Sequence, residues 1–348
     1  MSTFIAILAL SLICFTLLPL IKNDYWFFRV FEYPRLQKFV ASLVCLALVM
    51  YFFHSSSVLY WSLTSAMAIN VIYLFSLIIP FTRLGKKQVL RVAHHDDAKS
   101  LSIMIANVYQ DNKNTKGCVA EVTKADPDIF LLLETNKHWD DETAELASKY
   151  SYSVKVPLEN TYGMLLYSKL ELKDAEVKYL VESDIPSIHT KVVLNNDTEV
   201  QLFAVHPTPP VPQENPRSTE RDKELLLVAD MAKASALPVI VIGDLNDVAW
   251  SYTTELFLKM SGLLDPRRGR GFFNSFHAHY PFMRFPLDHA FISTDFKLKQ
   301  IKRLSNFNSD HFPIFISLQY EAAAVHQQES LEADADDIEL AEEKKAKV

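Results

Sequence analysis

The chain has 348 residues, 49% of them hydrophobic and 22% charged, and a formal net charge of -7. That length suits about two domains, and the acidic balance argues against a broad non-specific nucleic-acid surface. Of the cysteines, Cys14 and Cys45 lie in apolar runs and only Cys118 in the more polar part, so that part holds no internal disulfide.

Residues 1–82 carry three candidate membrane spans, at 3–21, 39–53 and 58–81. A crossing helix needs about 20 mostly apolar residues. The first and third reach that length; the second is short and needs tilt or a thinner patch of bilayer. The competing reading is a signal peptide followed by core helices. Met1-Ser2-Thr3 lacks the basic start of such a signal, and no clear small-residue cleavage site follows. Lys22, Arg29, Arg35 and Lys38 follow the first span, residues 54–57 carry no Lys or Arg, and Arg83, Lys86, Lys87 and Arg91 follow the third. If all three helices cross, the basic segments share one side, and the positive-inside rule makes it the cytoplasm. If the middle one does not cross, the rule decides nothing.

Residues 83–98 read as a linker and 99–320 as an α/β domain. Residues 321–348 read as an acidic tail, disordered or a solvated helix, because they lack apolar periodicity. Within the domain, apolar runs of strand length lie at 101–108, 129–133, 163–167, 200–205, 239–242, 287–292 and 314–318. Most are continuous rather than alternating, which predicts strands buried on both faces or in the core of a sheet sandwich. Helical spacing predicts helices over 116–125, 139–150 and 219–234. Seven glycines in the whole chain leave little room for a glycine-rich phosphate loop.

Polar residues recur where these runs begin or end: Asn107, Glu134, His206, Asp244 with Asn246, Asp288, and Asp310 with His311 in Ser309-Asp310-His311-Phe312-Pro313. Each has a bland alternative. Asn107 can cap its strand, Glu134 can open a helix, His206 can order the following prolines, and Asp244 with Asn246 can form an Asx turn. Together they match one chemistry. Carboxylates and an amide oxygen suit Mg²⁺, which takes oxygen ligands, and a further Asp–His pair suits acid–base work. Zinc spacing and a Gly-x-Ser-x-Gly elbow are both absent from the sequence.

In this order and spacing, these residues resemble the endonuclease/exonuclease/phosphatase superfamily (deoxyribonuclease I-like) over about residues 99–318. The likeness is nearest to bacterial members with N-terminal membrane helices, through His206-Pro207-x-Pro209-Pro210, Asp247-Val248-Ala249-Trp250-Ser251 and Asp265-Pro266-Arg267-x-Gly269-Arg270-Gly271. The resemblance implies a two-sheet β-sandwich flanked by helices, here preceded by transmembrane helices, with the site at one edge of the sandwich. It implies Glu134 as principal Mg²⁺ ligand (Mn²⁺ as possible substitute), with Asn107 and Asp310 beside the metal. Asp244 would activate water, Asn246 would hold a phosphate oxygen, and His311, oriented by Asp288, would contact the phosphoryl group. His206 would stabilise developing charge or protonate the leaving oxygen. Where many relatives have Thr-Trp before the Asp-His strand, this chain has Asn274-Ser275-Phe276-His277. Arg267 and Arg270 are candidates for a second phosphate or a headgroup; a solvated turn is the alternative.

The expectation is a membrane-anchored, Mg²⁺-dependent phosphoesterase acting on a phosphodiester or phosphomonoester, with a lipid headgroup as one candidate. A bacterial inner-membrane, multi-pass placement with a cytoplasmic domain goes with it. The alternatives are a nuclease of the same mechanism, which the charge does not favour, and a catalytically silent binding module on a membrane anchor.

Overall fold

A computed structural model describes residues 2–53 and 57–347. The connection at 54–57, read above for its lack of basic residues, lies outside the described residues except for Ser57. The chain begins with α1 (Ser2–Leu17), a single-turn α2 (Trp26–Arg29), α3 (Arg35–Phe52) and α4 (Val58–Ile78). The three long helices pack around Ile5, Ala9, Cys45, Val49, Leu63 and Met67 and are long and apolar enough to cross a membrane. They run antiparallel in turn. Lys38 near the start of α3 reaches the carbonyl of Phe15 at the end of α1 (2.9 Å), and Ser42 accepts from Asn70 of α4 (3.0 Å). The end of α1, the start of α3 and the end of α4 therefore share one side, with the large domain. α3 begins before the expected position 39 because the Lys38 ammonium is satisfied by two carbonyls, of Phe15 and Phe31, which removes the cost of a bare charge there.

The domain follows as β1 (Ser100–Asn107), α5 (Thr115–Ala125), β2 (Ile129–Leu133), α6 (Lys137–Glu142), β3 (Tyr152–Val156), β4 (Met164–Ser168), β5 (Leu172–Lys178), β6 (Ser187–Val193), β7 (Glu199–Val205), α7 (Thr219–Ala234), β8 (Val239–Asp244), α8 (Tyr252–Ser261), β9 (Asp288–Ile292), β10 (Phe296–Arg303), β11 (Ile314–Tyr320) and α9 (Ala335–Ala346). A six-stranded sheet, β10-β11-β1-β2-β4-β3, faces a five-stranded one, β5-β6-β7-β8-β9. The pleat sends Ile103, Ile105, Leu131 and Leu133 inward to meet Leu202, Ala204, Ile240 and Ile242 of the other sheet. Met104, Ala106, Phe130 and Leu132 point the other way, under Cys118, Val122 and Trp139 of α5 and α6. Phe203, Val205 and Val241 carry α7 and α8 on the opposite outer face. Helices cover both outer faces, so the central strands are apolar on both sides and read as continuous runs.

The sandwich flanked by helices is the architecture the sequence implied. Two boundaries differ from expectation. The tail forms a helix, α9, that is solvated on its outer side but docked on its inner one: it lies on α7 and α8, burying Ala341 with Leu340 beside it. Its Lys344 is buried between Asp24 (2.6 Å) and Asp222 (2.7 Å). A charged helix can dock where its few apolar residues and one paired lysine share a face. The linker is likewise part of the domain, since Val89 is in the core and Val92 donates to the Leu298 carbonyl.

The interior also holds a misfit. Glu224 on α7 is buried, and its Oε1 has no hydrogen-bond partner among the described residues. Burial, with Glu182 nearby, pushes its carboxyl up to about 8. A raised carboxyl pKa means the folded state keeps a proton that the unfolded chain releases, so stability falls as pH rises from about 4.5 to 8. Glu224→Gln is expected to raise the melting temperature of the detergent-solubilised chain by about 4 °C at pH 8.5 and to change it little at pH 4.5. Equal shifts at both pH values would refute this.

Candidate active site

Strand direction explains why the polar residues meet. β1 and β2 are parallel, so Asn107 and the residue after Leu133 leave the first sheet together. β7 and β8 are parallel, so His206 and Asp244 leave the second together. β9 runs against β8, pairing Asp288 with Asp244. β11 runs against β1, which brings the segment before Ile314 to the end of β1. All six contributions thus reach one edge of the sandwich. Gly243 allows the close approach there: a Cβ would stand 1.8 Å from the Val205 carbonyl oxygen. Glu134 and Asn246 both take the left-handed conformation (φ 58° and 49°) as the chain turns off its strands, an arrangement that costs about 1 kcal/mol or more and concentrates at functional sites.

The Asn107 amide donates to Glu134 Oε1 (2.7 Å) and to Asp244 Oδ2 (3.1 Å), joining the two sheets. Burial, reinforced by the Asp310 and Asp244 carboxylates, pushes the Glu134 carboxyl up to about 7. On the other side, His311 Nδ1 bonds Asp288 Oδ2 (2.8 Å) and its Nε2 stands 3.6 Å from Asp244 Oδ2. Burial opposes charge on this ring, but Asp288 and Asp244 outweigh it and push His311 up to about 10. The imidazole is therefore cationic at neutral pH. Ser309 Oγ donates to the Asn107 carbonyl (2.8 Å) and accepts from His311 N–H (2.9 Å), fixing the loop to β1.

His206 is buried, and its Nδ1 has no partner among the described residues. Burial pushes it down to about 4, so it is a neutral ring. It can donate a hydrogen bond to developing charge but is a poor proton source. Asn246 donates to the Pro207 carbonyl (2.9 Å), and its own N–H bonds Asp244 Oδ1 (2.9 Å).

The predicted arginines are elsewhere. Arg267 is buried in a pair with Asp265 (2.9 Å) and reaches His289 Nδ1 (2.6 Å). Arg270 bonds the carbonyls of Pro266 (3.1 Å) and Val89. The Arg267 guanidinium is taken up by these partners, whereas Arg270 is half-buried, keeps an Nε without a partner among the described residues, and faces a cleft shared with Arg83, Lys87 and Arg91, away from His311. Arg267 braces β9 because the buried Asp265 carboxylate claims its donors, and Arg270 ties the 83–98 segment down through two backbone carbonyls.

A layer beneath Asn246 was not read from the sequence. Tyr33 Oη donates to the Asn246 carbonyl (2.8 Å), and Arg221 donates to the same oxygen (2.8 Å). Arg221 and Arg29 both pair with Asp247 (3.2 and 3.5 Å), and Trp250 Nε1 donates to the Glu32 carbonyl (2.9 Å). The segment between α1 and α3 is thus built into the floor of the site. Its signal in the sequence was the mixture of Arg29, Glu32 and Tyr33 within an aromatic loop.

A divalent cation fits this donor set. Glu134, Asp244 and Asp310 crowd one region, and the latter two carboxylates add to the burial that raises the Glu134 pKa. Asp244, Asp288 and His311 also bring ligand atoms within 4.8 Å of one another. His311 is already held by Asp288 through Nδ1, and Glu134, Asp244 and Asp310 offer the oxygen donors a hard cation prefers, which favours the Glu134 side.

A model of the Endonuclease/Exonuclease/phosphatase family matches residues 104–311. No curated protein matches the sequence. Among solved structures, D. rerio TDP2 complexed with single strand DNA product is similar at 16% identity and a TM-score of 0.54, covering 63% of this chain and 99% of that one. An endonuclease/exonuclease/phosphatase family protein from Bacteroides thetaiotaomicron is similar at 18% identity and 0.53, covering 64% and 98%. The human Nocturnin catalytic domain with bound sulfate anion is similar at 16% and 0.52, covering 67% and 95%. At these identities the likeness speaks for the fold.

Proposed function

Because the chain belongs to the endonuclease/exonuclease/phosphatase family, we propose that it is a membrane-held, Mg²⁺-dependent hydrolase of phosphate esters. The observation that carries this reading is the buried pairing of His311 with Asp288 beside the Glu134–Asn107–Asp244 bridge. In the proposed reaction a water oxygen forms a bond to phosphorus and the ester P–O bond breaks. Asp244 takes the water proton, and the departing oxygen takes a proton from solvent. His311 faces the non-bridging phosphoryl oxygens as a cation, Asn246 donates to them, and neutral His206 donates to charge growing on the leaving oxygen. Glu134 and Asp310, with Asn107 alongside, would hold Mg²⁺ or Mn²⁺, which offsets the phosphate's negative charge when bound.

The proposed setting is a bacterial inner membrane crossed by α1, α3 and α4, with the domain on the cytoplasmic side. The basic residues flanking the first and third spans support that side. Nuclease action is the second reading; it draws on the neighbour solved with a DNA product, against the net charge of -7.

The test is a substrate panel on the full chain in detergent: lipid phosphodiesters, soluble phosphomonoesters and diesters, and plasmid DNA, each with Mg²⁺, Mn²⁺ or a chelator. Ester cleavage that the chelator abolishes is expected; plasmid nicking alone would turn the reading to the nuclease. Glu134→Gln is expected to raise the Mg²⁺ concentration needed for half-maximal activity at least tenfold. An unchanged titration would remove Glu134 from the metal site.

A further inference from the structure

Segment 277–284 turns tightly between Phe276 and Phe285, which face each other as an isolated bridge. His277 N–H donates to the Met283 carbonyl (3.1 Å), and Met283 N–H to the Tyr280 carbonyl (2.9 Å). Its tip shows apolar groups to the outside: Phe282 is 87% exposed, Tyr280 61% and Met283 53%. Single exposed apolar residues are ordinary, but three on one short turn are not.

Two sets of contacts give this turn a place. On one side it touches the site. Phe276 lies 5.0 Å from the His311 ring, and Ala278 N–H donates to the Asp310 carbonyl (2.6 Å). On the other side it meets the helix bundle. Gln37, in the first turn of α3, donates to the Phe282 carbonyl (2.9 Å), and Tyr33 packs edge-on against Phe285 (5.6 Å). The apolar tip therefore continues the exposed apolar surface of the bundle at its domain-side end, where Phe27 and Val30 are also exposed. Aromatic side chains at that level are characteristic of the bilayer interface.

We propose that Tyr280, Phe282 and Met283 insert into the bilayer interface beside α3, and that the site takes its phosphoester from a lipid of that same leaflet. This rests on the reading of the chain as a membrane-held phosphoesterase. The turn joins the His311 and Asp310 loop to the lipid surface, so a headgroup phosphate beside α3 meets the catalytic edge without leaving the membrane.

The experiment uses the full chain in vesicles of phosphatidylcholine and phosphatidylglycerol. In the first arm, Phe282→Trp is compared with the parent in vesicles of brominated lipid. The added tryptophan is expected to emit at blue-shifted wavelengths and to be quenched by the brominated chains; water-like, unquenched emission overturns the insertion. In the second arm, Phe282→Asp/Met283→Asp is assayed on lipid phosphodiester and on bis(4-nitrophenyl) phosphate. The ratio of lipid to soluble turnover is expected to fall at least tenfold, and a ratio within twofold of the parent's overturns the proposal. If the parent cleaves neither ester, the phosphoesterase reading fails by itself, and the quenching arm still decides insertion.

Discussion

Asp288→Asn is expected to lower phosphoester turnover about a thousandfold while moving KM only a few-fold. The carboxylate acts on His311 in two ways. It fixes the ring through the 2.8 Å bond to Nδ1, and with Asp244 it holds the proton that makes the ring a cation. An amide keeps the shape and removes the charge. Without Asp288, only Asp244 and Asp310 oppose the burial that disfavours the imidazolium, and His311 loses its charge at lower pH. The sign can be read from a pH profile. In the parent, a ring pushed up to about 10 stays charged throughout the neutral range, so activity should show no alkaline loss attributable to it below pH 9. In the variant, the alkaline limb should move down by about two pH units or more. Steady-state kinetics from pH 6 to 10 measure both effects. A loss below tenfold with an unmoved alkaline limb would show that Asp288 does not govern His311.

Lys344→Met is expected to destabilise the chain by about 3–5 kcal/mol, lowering its melting temperature by about 10 °C. Methionine keeps most of the lysine stem and its packing, so the change isolates the charge. Lys344 is the buried partner of Asp24 and Asp222, at 2.6 and 2.7 Å. Burial opposes ionisation of Asp222, and Lys344 with Arg221 outweighs it, holding that carboxyl far below its usual range. Removing the ammonium leaves carboxylates in a site with little water, and that penalty exceeds the value of the pair itself. Adding Asp24→Asn to Lys344→Met should recover part of the loss. A melting temperature within 2 °C of the parent's would mean that α9 contributes little.

The parts of the fold legible in the sequence are those buried on both faces. β2 is Ile-Phe-Leu-Leu-Leu, wholly buried, and no reading other than an interior strand suits it. β5, Leu-Lys-Asp-Ala-Glu-Val-Lys, is half-exposed at the edge of its sheet, and β10 mixes lysine with apolar residues at an edge of the other sheet. Such strands get their order from a neighbour's backbone rather than from their own apolar content, so a local reading passes over them. α8 was missed for another reason. Its Thr253 and Thr254 lower helix propensity, and tertiary burial of Leu256 and Phe257 overrides it.

The site divides in the same way. Asn107, Glu134, Asp244, Asp288 and His311 were legible because each stands where an apolar run begins or stops, and strand direction brings such ends together. Arg267 misled because a sequence shows a basic cluster without showing that the buried Asp265 already claims one of its members. Arg29, Glu32 and Tyr33 were counted as a loop between membrane spans, because their partners Asp247, Trp250 and Asn246 lie more than 200 positions away.

On the proposed membrane-held reading, that same loop decides how the enzyme encounters its substrate. A catalytic domain on a slack stalk sweeps a hemisphere of solution. This one is bolted to the α1–α4 bundle through Arg29, Glu32 and Tyr33, so with the proposed membrane around that bundle it would spin about the membrane normal and drift sideways without tipping or rising. Its catalytic edge patrols a thin slab at one fixed height. Surface density, not bulk molarity, then becomes the variable to which such an enzyme responds.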